Sequence, residues 1–292
     1  MRYSPFKATE DQNAEASSAS NRAFFEAVAH EAGFAALHGA VLLVGARDPR
    51  ALALRRAQAA LRFDQRPSYW SHAALIVRWD EDPARTKGVE VTLDPRRAHE
   101  QVPERNGVTT FSLQRYLDER RYPNVGLLVI GFEDAKPEPD AELTDAERTV
   151  LTSAERTLPT PAERRAAAIS AALSPLRGRD RYPLWDLLGA WARYSYLPFT
   201  TPNPLLEGMP MPSAALCEYA YEAAGLDLTP GAAGHNNCPE MLYATAKHWA
   251  SGLSPMQAEV RRFTLVRHRH AIAQRELPPE LGLRAPSIEE LG

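Results

Sequence analysis

Ser71-His72-Ala73-Ala74-Leu75-Ile76-Val77-Arg78-Trp79 is an apolar run opened by a histidine and preceded by the turn-prone aromatic segment Pro67-Ser68-Tyr69-Trp70. It is followed by the polar stretch 80–87 and then by Val89-Glu90-Val91-Thr92-Leu93. Short apolar runs rich in β-branched residues on either side of a polar break read as two strands of a hairpin. Glu90, flanked by two valines, faces opposite to them. A histidine at a strand mouth can point from the sheet rim into a cleft.

Outward from this hairpin the pattern stays mixed. Residues 21–37 have helical composition, with Phe24, Phe25, Val28 and Ala32 able to share a face. Gly39 leads into the strand-like run Ala40 to Val44. Asp48-Pro49 is a helix start, with aspartate as cap and proline in the first turn, and that helix is expected to reach Phe63. Its core spacing falls on Leu54, Ala57 and Leu61. Residues 111–120 read as a short amphipathic helix and Val125 to Phe132 as another strand. Helix, strand, helix and a mostly antiparallel sheet define an α+β class, a small sheet packed by helices.

Residues 136–175 read as an inserted helical element. Thr144-x-x-Glu147, Thr152-x-x-Glu155 and Thr160-x-x-Glu163 each fit a capping box, and Thr160 followed by Pro161 is the most credible start. Leu184, Leu187, Leu188 and Trp191 then form a helical stripe, read first as core and second as substrate- or lipid-facing. A proline-rich stretch ends at Ser213, read as the cap of a helix from Ala214 to Ala224 closed by Gly225. That helix carries Cys217 in its first turn or so. The expected organisation is a flexible leader over 1–20, one catalytic domain over 21–252 and a C-terminal extension over 253–292.

Composition narrows the function. The 292 residues carry a formal net charge of -3, which gives no reason to expect nucleic acid as a partner, since phosphate binding needs a concentrated basic face. The one compact basic cluster, 267–270, reads as a solvated helix face. No apolar run is long enough for a transmembrane helix, and the N-terminal 20 residues lack the apolar centre of a secretory signal. The expectation is a chain made in the cytosol. The two cysteines, Cys217 and Cys238, give neither a disulfide framework nor a zinc spacing.

A thiol attacks as thiolate, which helix N-terminal amides and a neighbouring imidazolium stabilise. Cys217 has the first by its expected position. His72 is the candidate base, and Glu90, with Asp94 in reserve, the candidate group that orients the ring. The residues alone leave Glu90 between this role and that of a solvent-facing strand residue, and leave Cys217 between nucleophile and buried apolar filler.

The chain resembles the permuted members of the NlpC-type papain-fold superfamily, the YiiX-like amidases and their relatives. The resemblance covers about residues 39–245. It rests on the strand after Gly39, Ser68 to Ile76 with His72, Val89-Glu90-Val91, residues 126–130, residues 178–182, Leu216-Cys217-Glu218-Tyr219 and Cys238-Pro239-Glu240-Met241-Leu242. The chain departs where relatives usually have Gly-Asp (here Gly39-Ala40) and Cys-Ser-Glu (here Cys217-Glu218), and in its helices over 136–175. The resemblance implies a circularly permuted papain-like fold in which Cys217 is nucleophile, His72 base and Glu90 orienter. The Cys217 amide would serve in the oxyanion hole, and no metal or organic cofactor is implied.

Hydrolysis of a bacterial cell-wall peptide or another amide through a thioester is the leading expectation. The same triad acting on lipid acyl groups, as in lecithin:retinol acyltransferase-like relatives, is the second. A non-catalytic papain-fold binding module is the third. A secreted antibacterial effector, delivered by a system such as type VI secretion and held in check by an immunity protein, fits a hydrolase of this kind, and a housekeeping cytosolic enzyme fits equally.

Overall fold

The computed structural model describes residues 20–92, 107–130, 160–177, 189, 192–194, 203–230, 237–250 and 263–269. Its centre is one antiparallel sheet of six strands, β1 (Val41–Gly45), β2 (His72–Arg78), β3 (Lys87–Thr92), β4 (Gly107–Ser112), β5 (Asn124–Ile130) and β6 (Phe263–Arg269). The spatial order is β4-β3-β2-β1-β5-β6. Helices α1 (Asn21–Ala32), α2 (Pro49–Ala57), α3 (Pro161–Arg177), α4 (Pro212–Glu222) and α5 (Pro239–Ala250) accompany it. This is the expected α+β class.

Strand alternation sorts the core into two layers. Val41, Leu43, Ala73, Leu75, Val89, Val91, Leu128 and Ile130 turn to one face, where Ala214, Leu216, Cys217, Ala220 and Tyr221 of α4 and Ala168 and Ala172 of α3 cover them. Leu42, Val44, Ala74, Ile76, Val125, Leu127 and Val129 turn to the other, beneath Phe24, Phe25 and Val28 of α1. A sheet covered on both faces explains why β1 and β5 are buried along their whole length.

Capping decides where several helices begin. The Asp48 carboxylate accepts from Ala51 N at 3.0 Å, with Pro49 as the first helical residue of α2. Thr160 and Glu163 form the reciprocal box at α3, with Thr160 N donating to Glu163 Oε2 at 2.7 Å and Glu163 N donating to Thr160 Oγ1 at 3.3 Å. The two earlier copies of that motif, the stripe 184–188, the leader 1–19 and the tail beyond 269 lie outside the described residues.

Four expectations are corrected. The α-helix opened at Asp48 ends at Ala57 and tightens to a 3-10 turn over Gln58–Leu61, which leaves Phe63 87% exposed. Residues 107–112 form β4, and only Leu113–Leu117 are helical, as one 3-10 turn, because the β-branched run Val108-Thr109-Thr110 pairs along β3. The basic run through Arg269 lies on β6, not on a helix, so part of the expected extension belongs to the sheet. Ser213 is the second helical residue of α4, not its cap; Met211 is the cap and Pro212 the first residue.

Candidate active site

The segment before β2 is held by buried polar side chains. Arg55 Nε donates to Ser68 O at 2.5 Å, Gln58 Nε2 to Trp70 O at 2.7 Å, and Ser68 Oγ to Glu240 Oε2 at 2.5 Å. Arg62 pairs with Glu240 at 2.8 Å, and Gln58 Oε1 accepts from Glu240 N. Burial raises the Glu240 carboxyl, the Arg62 charge opposing it. These bonds tie α2 and the start of α5 to the chain on either side of Tyr69, so His72 enters the sheet from a fixed backbone. Ser71 N adds a bond to Val44 O, and Val44 lies opposite His72 in the register.

Glu90 is 1% exposed and stands on the middle of β3, opposite Thr109. Its Oε2 lies 2.8 Å from His72 Nε2 and also accepts from the Tyr116 hydroxyl, while Oε1 pairs with Arg115 Nη1. Both partners come from the 3-10 turn after β4. A buried lone carboxylate would be strongly disfavoured, and these partners make it tolerable. Burial pushes the Glu90 carboxyl upward, but the bonds and charges of His72, Arg115 and Tyr116 outweigh it and hold the group below its usual range. Glu90 therefore faces His72 as an anion. Burial also lifts the Tyr116 phenol well above its ordinary value, with the Glu90 charge adding to it, so this hydroxyl stays a donor.

An imidazole with Nε2 committed to a carboxylate presents Nδ1 as the other reactive nitrogen. Such a pair can take a proton from a nucleophile and stabilise the resulting imidazolium. The ring remains partly open, its side chain 23% exposed beside the sealed carboxylate.

Cys217 is not brought to this pair. Strand alternation places His72 and Glu90 on the face of Ala74 and Ile76, whereas Cys217 packs in the cluster on the opposite face. It is the sixth residue of α4, fully buried, so its amide lies inside the helical hydrogen-bond ladder rather than at the open end. That removes it from the expected oxyanion hole. Burial raises the Cys217 thiol well above its ordinary value, and neighbouring Glu218 adds to the shift. Cys238 is buried and raised as well. Asp94, the reserve orienter, lies outside the described residues.

The sequence reading missed two members of the cluster. Arg115 and Tyr116 sit in the middle of a segment read as helix, and nothing local marks them as partners of a strand residue 25 and 26 positions earlier. Among the described residues no group of three or more His, Cys, Asp and Glu side chains is arranged to hold a metal ion. No described helix is long and apolar enough to cross a membrane. Compared with family models and with curated proteins, the chain matches none.

Proposed function

We propose that this chain is an acyl-transfer hydrolase whose general base is His72, oriented and charge-stabilised by Glu90, on a circularly permuted papain-like fold. The observation that carries the reading is the His72–Glu90 bond at 2.8 Å, made by a carboxylate that is buried, ionised and backed by Arg115 and Tyr116. Building an anion into a covered sheet face is costly, and a partly exposed imidazole is what this one faces. The antiparallel sheet, with the histidine strand early in the chain and a helix of the expected cysteine segment laid across it late, supports the permuted fold. The proposed substrates are amides of bacterial cell-wall peptides, with lipid acyl esters as the alternative class.

The chemistry asks the base to remove a proton from an attacking oxygen or sulfur and return it to the leaving group, worth about 10²–10⁴ in rate. The test is turnover of a cell-wall peptide, a phospholipid and an activated ester by the full chain and by His72→Ala. Turnover that collapses in the variant on whichever substrate works is the expected result. Turnover indifferent to His72 would remove the reading.

One observation favours a second reading. Cys217, the thiol the cysteine-hydrolase mechanism requires, is sealed in the core and held protonated by burial. A non-catalytic module of this fold would look the same, with His72 and Glu90 serving to bind rather than to react. Absence of turnover on all three substrates, with peptide or lipid binding retained, is the result that selects it.

A further inference from the structure

We propose that Thr229 is the moving part of a proton-operated latch between α4 and α5. Its one hydroxyl hydrogen bonds to Asn237 while Glu218 is neutral and passes to Glu218 when that carboxyl ionises. The observation behind this is a mismatch in count. Thr229 Oγ1 lies 2.8 Å from Asn237 Oδ1 and 3.2 Å from Glu218 Oε2, and both of those atoms accept. A threonine hydroxyl has a single hydrogen to donate, so it cannot serve an amide carbonyl and a carboxylate together. All three residues are buried, so the acceptor left over has little solvent to bond with instead.

Charge decides which acceptor wins. A hydrogen bond to an ionised group is about twice as strong as one between neutral groups. Ionised Glu218 therefore takes the hydrogen, and neutral Glu218 yields it to the amide oxygen, the nearer partner. Burial and the neighbouring Asp227 raise the Glu218 carboxyl to about 7, while the Leu228 amide, 2.8 Å from Oε1, and the Thr229 hydroxyl oppose them. Asp227 is exposed and accepts from Thr229 N at 2.8 Å. Cys217, beside Glu218 on α4, is kept neutral by burial. The elements packed on α4 commit their charges elsewhere. Arg165 of α3 reaches α4 at Tyr221, Glu240 of α5 is turned to Arg62 and Ser68, and His72 and Glu90 of the sheet meet on its other face.

The hand-over is felt where two helices start. The Asn237 main-chain oxygen accepts from Met211 N at 2.7 Å, and Met211 is the cap of α4. Asn237 also leads through Cys238 into α5, whose Glu240 accepts from Ser68 Oγ ahead of β2. With Glu218 neutral, a chain of bonds runs from Thr229 through Asn237 to Met211 and ties the loop after α4 to both helix starts. With Glu218 ionised, that loop is drawn onto α4 by Leu228 N and Thr229 Oγ1, and the Asn237 side chain is released. Neutral Glu218 predominates below pH about 7 and the anion above it, so the latch closes in acid and opens in base.

The experiment follows amide hydrogen exchange of the full chain by NMR between pH about 5 and about 9, expressed as protection factors so that the pH dependence of exchange chemistry is divided out. Met211 N reports the Asn237 side and Leu228 N the Glu218 side. As pH rises, Met211 protection should fall and Leu228 protection should rise, each by roughly 2- to 10-fold, the range that one hydrogen bond spans. The two should share a midpoint. General loosening of the fold lowers both, so opposite signs identify the hand-over. Glu218→Gln should hold Met211 at its acid level throughout. Thr229→Ser keeps the hydroxyl and should keep the opposed movement, whereas Thr229→Val should leave Met211 insensitive to pH. The proposal is overturned if Met211 and Leu228 move together, or if Met211 does not move in the parent. It is overturned equally if the Met211 response survives in Glu218→Gln or in Thr229→Val.

Discussion

Glu90 reaches His72 Nε2 at 2.8 Å across a place where their strands no longer pair, the β2–β3 register having stopped at Leu75 and Val89. The side-chain bond replaces the ladder at this point. It closes the sheet on one face while the backbone there is left open to α4.

Glu90→Gln keeps an acceptor for the ring but gives up the charge that supports imidazolium. On the proposed mechanism kcat/KM should fall by ~10²–10⁴ with the fold retained, and Tyr116→Phe should fall less because Arg115 still holds the anion. Parallel kinetics and circular dichroism of the two variants check this. A Tyr116→Phe loss exceeding that of Glu90→Gln would assign the hydroxyl a direct role instead.

The native thiols should resist iodoacetamide at neutral pH and react promptly in denaturant, since both cysteines are buried and raised above their ordinary values. Cys217→Ala removes one apolar atom and should cost about 1 kcal/mol. Cys217→Asp buries a charge among Ala214, Ala220 and Leu75 and should prevent folding. Urea titrations distinguish the cases. Rapid native labelling of Cys217 would contradict the packing described for it.

Glu218 gives a pH dependence with a definite sign. Burial raises its carboxyl to about 7, with protonated Glu218 bonding to Asp227, while Leu228 N and Thr229 Oγ1 donate to it and oppose the shift. A folded-state value above the unfolded one means the folded chain holds the proton more tightly. This contribution to stability is present below pH about 4.5 and is lost as pH rises through about 7. Glu218→Gln keeps the acceptor and a donor for Asp227, so it should be more stable than the parent at pH 8 and level with it near pH 4.5. Chemical denaturation at the two values measures the difference, and a parent that gains stability between them through this residue would reverse the sign.

Close approaches in the sheet make two glycines hard to replace. A Cβ on Gly45 would stand 1.9 Å from Tyr69 O, and one on Gly88 would stand 2.3 Å from Phe111 Cζ and 2.6 Å from Leu75 O. Gly45→Ala meets backbone that cannot swing aside and also displaces the segment leading to His72. It should lose ~1–3 kcal/mol and some activity together. Gly88→Ala should lose comparable stability while sparing the site, because it lies at the paired end of β3. Thermal melts with activity at 20 °C below each midpoint separate the two.

Much of this architecture could be read from residue order. Apolar runs bounded by Gly39, by the Pro67 turn and by the polar break at 80–87 mark β1, β2 and β3, and Asp48 and Thr160 mark helix starts because a cap is a local bond between near neighbours. The pairing of His72 with Glu90 was accessible as a hairpin expectation, although its register was not. What escaped is non-local. Whether a cysteine is in the first or the second turn of a helix depends on whether Met211 or Ser213 caps it, a shift of two residues that no propensity resolves. Arg115 and Tyr116 become partners of Glu90 only because β4 pairs with β3, and the strand character of residues 263–269 depends on an edge offered by β5.

That last edge has a consequence for the order of events during synthesis. β5 finishes at Ile130 and its outer neighbour begins at Phe263, so 133 further residues (263 − 130) must be made before the two can pair. At typical ribosomal speeds of about 5–20 residues per second, the flank of β5 waits roughly 7–27 s with its amides and carbonyls unmatched. An unpaired, mostly apolar strand is a template for another chain. Nascent copies crowded on one message are thus most vulnerable to one another along β5, and a chain cut short before residue 263 keeps that exposure for life.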